Sequence, residues 1–272
     1  MSIHHQQTES NDKYLIEIKT VQSSIIKTLI ESLKEILPDT NIEFDQTGIK
    51  VLTMDPTHTV LVHVNLHAKN FEHYHCKNKQ VIGVNMVNLF KLIKTMSSSD
   101  SLCLYIETQD PNHLGIQISN GEKNAITNFK LSLLDLNEEA IHVPPAQFTS
   151  VITMPSGDFQ KVCRDMYNLS DTIEIKSIRG QLILDCKGDF ANQETIMGES
   201  VTNGVNFVHK HDEPGLIQGF FSLKHLVLFT KCTNLCSSIQ LFLKNDYPLI
   251  ICYQVGSLGE IRLCLAPKAN ES

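Results

Sequence analysis

Ser132-Leu-Leu-Asp-Leu-Asn-Glu-Glu-Ala-Ile-His-Val-Pro-Pro-Ala-Gln-Phe148 stands at the middle of the chain, and the pattern of residues before it is repeated in outline after it. It reads as a connector between two similar halves. Glycine is absent, and Leu133, Leu134, Leu136, Ile141 and Val143 give it enough apolar surface to lie against a support. Pro144-Pro145 forces extended backbone, because proline fixes φ and drives the residue before it out of the helical region. Long connections in compact proteins are uncommon and tend to be functional or disordered. This one has the composition of an ordered, functional one.

Working outward, each side of the connector carries strands interrupted by two helices. On the N-terminal side, Tyr14 to Val21 alternates as a strand, Ser23 or Ser24 offers a helix cap, and Ile25 to Leu37 is helical until Pro38. Ile26, Leu29, Ile30, Leu33, Ile36 and Leu37 gather on one side at 100° per residue, with Lys27, Glu31 and Lys34 opposite. Strand-like runs cover 41–44, 49–54 and 59–67, a second helix covers Met86 to Met96, and further strands cover 101–107, 115–119 and 125–133. On the C-terminal side, Phe148 to Met154 is a strand and Pro155-Ser-Gly-Asp158 starts a third helix. Strands come next at 172–176, 182–186, 194–201 and 216–221. Ser222 caps a fourth helix to Cys232, and strands at 238–243, 249–255 and 261–265 complete the half. Thr172-Ile-Glu-Ile-Lys176 with Gly180 after it echoes Asn41-Ile-Glu-Phe-Asp45 with Gly48 after it. The fold class is α+β, with two helices per half packed on antiparallel sheets.

The expected division is a disordered tail over 1–13, an N-terminal domain over 14–131, the connector over 132–148, a C-terminal domain over 149–268 and a short tail over 269–272. Apolar residues make up 42% and charged residues 19%, the balance of a globular protein with enough material for real cores. No apolar run approaches the roughly 18 residues of a membrane span, and no membrane partner is expected. The polar start, Met1 to Lys13, has neither the basic nor the apolar part of a secretion signal. Eight scattered cysteines suit free thiols in a reducing, intracellular compartment.

Net charge is −7, which alone argues against nucleic acid, but the distribution of charge says more than its sum. Lys27 and Lys34, Lys91 and Lys94, Lys161 and Arg164, and Lys224 and Lys231 fall on the outward sides of the four helices. On one helix such lysines merely solubilise; on all four they describe a surface that contacts phosphates without reading sequence. No recognition helix is implied, since clusters of Arg, Asn and Gln aimed at base edges are missing. Phe71-Glu-His-Tyr-His-Cys76 does not make a metal site: on a strand His73 and His75 share a face and Cys76 points away. Cys232 and Cys236 lack zinc-knuckle spacing. No phosphate loop, nucleophile elbow or paired acid/base motif is present, so no catalytic residue, metal or cofactor is expected.

The stretches Gly48-Ile-Lys-Val-Leu-Thr-Met-Asp-Pro-Thr-His58, Leu134-Asp-Leu136, Met154-Pro-Ser-Gly-Asp-Phe-Gln-Lys-Val-Cys-Arg-Asp165, Phe229-Thr-Lys231 and Leu265-Ala-Pro-Lys268 are each weak signals, but their order and spacing are specific. Over about Tyr14 to Lys268 the chain resembles the proliferating cell nuclear antigen family of DNA sliding clamps. The resemblance implies the clamp fold closed into a ring of three identical chains, helices lining the hole. It implies double-stranded DNA, a DNA polymerase, a clamp loader and proteins bearing clamp-interacting peptides as partners, in the nucleus or another intracellular site of replication. The eight helix cations fall where clamps place DNA-facing charges, while Thr28 and Asn168 stand where many clamps carry further contacts.

The family's peptide pocket maps onto Met54, His58, Leu61, Leu136, Ile141, Val143, Pro144, Pro248, Ala266, Pro267 and Lys268, with Cys264 in place of a bulky aromatic. The family's subunit contact maps onto 125–131, with Ile126, Phe129 and Leu131, and onto 190–196, with Phe190 and Ile196. The modified lysine of eukaryotic clamps falls at Arg179. A subunit of a heteromeric damage-checkpoint ring, a monomeric divergent clamp and a scaffold that keeps the fold without DNA are the alternatives.

Overall fold

A computed structural model describes residues 13–137, 141–200, 204–209 and 215–268. The expected tails lie outside these residues except for Lys13, as does Val201 at the end of one expected strand. The chain divides into two units. The first comprises Met1–Thr53, Val64–Ala140 and Val255–Glu260, and the second Met54–His63, Ile141–Gln254 and Ile261–Ser272.

The first half runs β1 (Tyr14–Thr20), α1 (Ser23–Leu33), β2 (Asp39–Asp45), β3 (Gly48–Met54), β4 (Val60–His67), β5 (His73–Cys76), β6 (Gln80–Asn85), α2 (Met86–Ile93), β7 (Asp100–Glu107), β8 (Asp110–Asn120) and β9 (Ala125–Ser132). One sheet has the order β5-β1-β7-β8-β9, and in another β6, β2, β3 and β4 are successive neighbours. Alternate residues explain the packing: Ile42 and Phe44 on β2, Ile49 and Val51 on β3, and Val64 and Leu66 on β4 are all buried. With Ile26, Leu29 and Ile30 of α1 and Met86, Leu89 and Ile93 of α2 they surround an apolar hollow of about 60 Å³. Each such side chain contributes about 1.5–3 kcal/mol by leaving water.

Helix ends differ from expectation. Ser23 lies inside α1 rather than capping it: Gln22 is the N-cap, and the buried Ser23 hydroxyl donates instead to Ser97 O at 3.1 Å. The helix stops at Leu33 instead of Leu37. The Leu33 carbonyl takes the N–H groups of both Ile36 (2.9 Å) and Leu37 (2.8 Å), closing a turn that still buries Ile36 and Leu37 before Pro38. The second helix likewise ends at Ile93 rather than Met96, where Met96 N–H returns to Ile93 O at 3.0 Å. Its start is capped by Asn85, whose side chain accepts from Asn88 N–H at 2.8 Å.

The second half runs β10 (Ser150–Pro155), α3 (Ser156–Tyr167), β11 (Thr172–Ile178), β12 (Gln181–Lys187), β13 (Asn192–Gly198), β14 (Asn206–His209), β15 (Ile217–Ser222), α4 (Leu223–Phe229), a 3-10 segment (Thr230–Leu235), β16 (Ser238–Leu243), β17 (Leu249–Val255) and β18 (Gly259–Leu265). Its sheets have the orders β13-β12-β11-β15 and β14-β10-β16-β17-β18. The third helix buries Phe159, Cys163 and Met166, and the fourth buries Leu223, Leu226 and Phe229. Ser222 is the N-cap of α4 but makes no side-chain capping bond. The expected run to Cys232 tightens at Thr230, whose hydroxyl donates back to Val227 O at 2.8 Å. Strands β6 and β14 are not announced by alternation, since Val81-Ile-Gly-Val84 is a continuous apolar run and β14 is four residues long. Each half thus pairs two helices, α1 beside α2 and α3 beside α4, with antiparallel sheets.

Candidate nucleic-acid interface, strand edges and partner groove

The helix faces bear their cations unequally. Lys91, Lys94, Lys161, Arg164 and Lys224 are exposed, whereas Lys27, Lys34 and Lys231 are half-buried. The Lys27 ammonium donates to Met96 O. Lys34 sits 3.2 Å from Glu35 and 4.8 Å above the Phe90 ring, with only 18% of its side chain exposed. Periodicity places these side chains on the outer stripe, and tertiary partners bend two of them back onto the protein. Thr28 bonds Ser24 O in its own helix, and Asn168 is the exposed C-cap of α3.

Among the strands that end a sheet, β9 and β13 carry the expected contact residues. Strand β9 ends the order β5-β1-β7-β8-β9 and exposes Ile126 (63%), with Phe129 and Leu131 half-buried. Strand β13 ends its sheet and exposes Ile196 (54%). Phe190, at 78% the most exposed large apolar side chain among the described residues, lies in the turn before β13 rather than on the strand expected from residue 190. The turn is tight: Gly188 N–H reaches Ala191 O at 3.0 Å. On β9, Lys130 pairs with Asp110 (2.8 Å) and Glu107 (3.4 Å).

The expected pocket residues that fall in the second unit start at the end of β3. Buried Asp55 organises the loop that follows, its carboxylate accepting from Thr59 N–H (2.8 Å), Val60 N–H (2.7 Å) and the Thr57 hydroxyl. Burial pushes this carboxyl's pKa up, and the hydrogen bonds outweigh it and hold the group below the ordinary range. His58, at φ 55°, is left exposed at the loop tip. Ala266 N–H donates to Thr59 O at 3.1 Å, so the structure joins the Met54–Leu61 loop to the Ala266–Lys268 segment. Met54, Leu61, Ile141, Pro248 and Ala266 are half-buried; Val143, Pro144, Pro267 and Lys268 are exposed. Pro267 and Lys268 line a hollow of about 550 Å³ with Leu216, Phe220, Asn245 and Tyr247. A second hollow of about 750 Å³, lined by Tyr167 to Thr172, Lys187 to Asp189 and Phe220, also borders Lys268, whose Nζ donates to Thr172 Oγ1 at 2.6 Å. Cys264 is half-buried, its thiol pushed up to about 11 by burial.

Leu136 is held in the first unit, where Asn41 Nδ2 donates to its carbonyl at 3.2 Å. Phe148, counted in the connector but not among the expected pocket residues, packs edge-on against Phe242 (5.4 Å) and Tyr247 (5.7 Å). Its aromatic type at the end of an apolar connector is the signal that could have singled it out. His225 is a second unforeseen residue: its Nδ1 is buried without a partner, and burial lowers its pKa despite nearby Asp55.

Of the rejected metal ligands, His73 Nε2 lies 3.2 Å from Glu17 and Cys76 is buried with Sγ donating to Asn78 O. Cys232 and Cys236 are free thiols at the 3-10 segment and its C-cap, not on an α-helix. Arg179 is exposed in a turn at φ 50°. No described helix is long and apolar enough to cross a membrane.

Two families match in succession: proliferating cell nuclear antigen, N-terminal domain, over residues 15–141, and proliferating cell nuclear antigen, C-terminal domain, over residues 142–268. Among similar proteins, the probable DNA polymerase sliding clamp 1 of Paramecium bursaria Chlorella virus 1 is 35% identical over 261 residues, spanning 94% of this chain and 98% of that one. The proliferating cell nuclear antigen of Chaetomium thermophilum is 29% identical over 261 residues, covering 94% and 99%. With both halves matched in order and the α+β architecture in place, the chain belongs to the proliferating cell nuclear antigen family.

Proposed function

We propose that the chain is a DNA sliding clamp, a processivity factor that tethers a DNA polymerase and other replication or repair enzymes to duplex DNA. The observation that carries this reading is the match of both family domains, in order, over residues 15–268. Three identical chains close a ring by pairing the β9 edge of one with the β13 edge of the next, which removes two unpaired edges per chain. The exposed cations Lys91, Lys94, Lys161, Arg164 and Lys224, on or directly after α2, α3 and α4, face the DNA and make weak, sequence-independent phosphate contacts. Strong contacts are unnecessary, because a closed ring cannot leave the duplex sideways. Catalysis and a cofactor play no part; opening is the work of a separate loader. The groove of Met54, His58, Leu61, Ile141, Val143, Pro144, Pro248, Ala266, Pro267 and Lys268 takes an extended peptide with one apolar and two aromatic anchors.

Two measurements test this. Solution mass near three times 30.6 kDa is expected; a stable monomer overturns the homotrimer and points to the monomeric alternative. Polymerase extension on primed circular DNA, with and without a loader, should give longer products when the chain is added. Unchanged product length in both conditions sinks the processivity reading. Replacing Ile141 and Val143 with Glu should abolish binding of a clamp-interacting peptide and leave the mass unchanged.

A further inference from the structure

Asn120 closes two strand ladders at once. It is the last residue of β8, paired with Asp100 on β7 and with Ala125 on β9. Its side chain is tied at both ends: Nδ2 donates to Asp100 Oδ1 at 2.5 Å, and Oδ1 accepts the Lys123 N–H at 2.8 Å across the turn. Asp100 is itself buried and held, its Oδ2 accepting from Ser97 N–H at 2.7 Å. That bond, with the one from Asn120, keeps its carboxyl below the ordinary range and so ionised. Gly121 follows, with φ outside the left-handed region and nothing within 4 Å of where a Cβ would stand. By contrast, a Cβ on Gly83 would lie 2.4 Å from Leu134 O and 3.0 Å from Leu136 Cγ. Neither backbone nor space calls for glycine at 121. Its chemical effect is to leave the amide nitrogen after Asn120 unshielded.

We infer that Asn120 is a site of spontaneous deamidation, guarded by Asp100 and Lys123 and opened when the β8–β9 turn opens. The Gly121 nitrogen attacks Asn120 Cγ, the Cγ–Nδ2 bond breaks, and ammonia leaves with the proton of the attacking nitrogen, closing a five-membered succinimide. Water then adds to one of the two ring carbonyls and opens the ring, giving aspartate or, with the main chain running through Cγ, isoaspartate. In the closed turn this path is blocked, because swinging the side chain toward Gly121 breaks both of its hydrogen bonds. Asp100, as a carboxylate, has no proton to give the departing nitrogen. Once formed, a carboxylate at 120 has lost its donor and stands against the like charge of Asp100. The start of β9 then loosens, and β9 is the edge on which the clamp reading closes its ring; the chemistry holds whatever β9 pairs with.

The test incubates the full chain near neutral pH and follows conversion at Asn120 by mass mapping of the peptide that carries it. Folded wild type should convert at least about tenfold more slowly than the same chain unfolded in guanidinium chloride. Asp100→Asn, which weakens the guard, should speed the folded reaction at least about threefold. Gly121→Ala should slow the unfolded reaction while leaving the unfolding midpoint where it was, as the open space around Gly121 allows. Asn120→Asp, which imitates the product, should speed amide exchange at Ala125 at least about threefold. No conversion at Asn120 in the unfolded chain overturns the site. Folded and unfolded rates within about twofold of each other, or a folded rate that Asp100→Asn leaves unchanged, overturn the guard. Should Asp100→Asn fail to fold, the folded-to-unfolded ratio of wild type and the exchange of Asn120→Asp decide: a ratio near one, or unchanged exchange at Ala125, sinks the proposal.

Discussion

The hairpins β2–β3 and β11–β12 occupy corresponding places in the two halves, and each turns in two residues, Gln46-Thr47 and Arg179-Gly180. They are closed by different chemistry. In the first, Asp45 Oδ1 accepts the N–H groups of Thr47 (2.6 Å) and Gly48 (3.2 Å), and Lys50 binds Oδ2 at 2.6 Å. The Lys50 bond, then those from Thr47, hold the Asp45 carboxyl far below the ordinary carboxylate range. Gly48 then takes φ +148°, and a Cβ there would lie 1.8 Å from Leu66 O on β4. In the second, Arg179 (φ 50°) and Gly180 (φ 74°) make a left-handed turn, and nothing lies within 4 Å of a Cβ on Gly180. One turn is welded to its neighbour through a side chain and a glycine; among the described residues, the other is held by its own backbone alone. Copies of a supersecondary unit therefore keep the strands and renegotiate the turn.

That contrast can be broken by measurement. Gly48→Ala faces both strained φ and a backbone oxygen, and should cost about 3 kcal/mol or more in urea unfolding. Asp45→Asn loses charge-assisted bonds and should cost about 1–2 kcal/mol near neutral pH. Because the folded pKa of Asp45 is depressed, its contribution is full above about pH 4 and vanishes as pH falls through the folded value, so the two proteins should converge only in strong acid. Gly180→Ala meets φ strain without a clash and should cost about 1 kcal/mol. If it costs as much as Gly48→Ala, the distinction between the turns fails. The smallest effect sharpens the picture: Arg179→Asn, suited to the left-handed region, should stabilise by about 0.5 kcal/mol.

The same contrast shows what a sequence discloses. The echo of Gly48 and Gly180 is visible in the letters, and so are the helix faces, because Ile26, Leu29, Ile30 and Leu33 repeat at the period of a helix and all are buried. Which turn each glycine serves is invisible, since it depends on whether Leu66 O crosses nearby. Lys27 fails for the same reason: its partner, Met96 O, is 69 positions away. Gly83 sits unremarked in an apolar run, and only the path of Leu134 and Leu136 over it gives it meaning. Local periodicity reaches the surface of an element; it does not say what rests on that surface.

The eight free thiols have a use unrelated to redox state. Cys76 and Cys103 belong to the first unit, and Cys163, Cys186, Cys232, Cys236, Cys252 and Cys264 to the second. Cys163 and Cys232 are fully buried, and burial pushes the Cys103 thiol up to about 11. A thiol is alkylated as thiolate and only when reagent reaches it, so its labelling rate counts openings of the structure around it. Each half thus carries its own stopwatch, and pulse alkylation of the unmodified chain can time the two halves against each other.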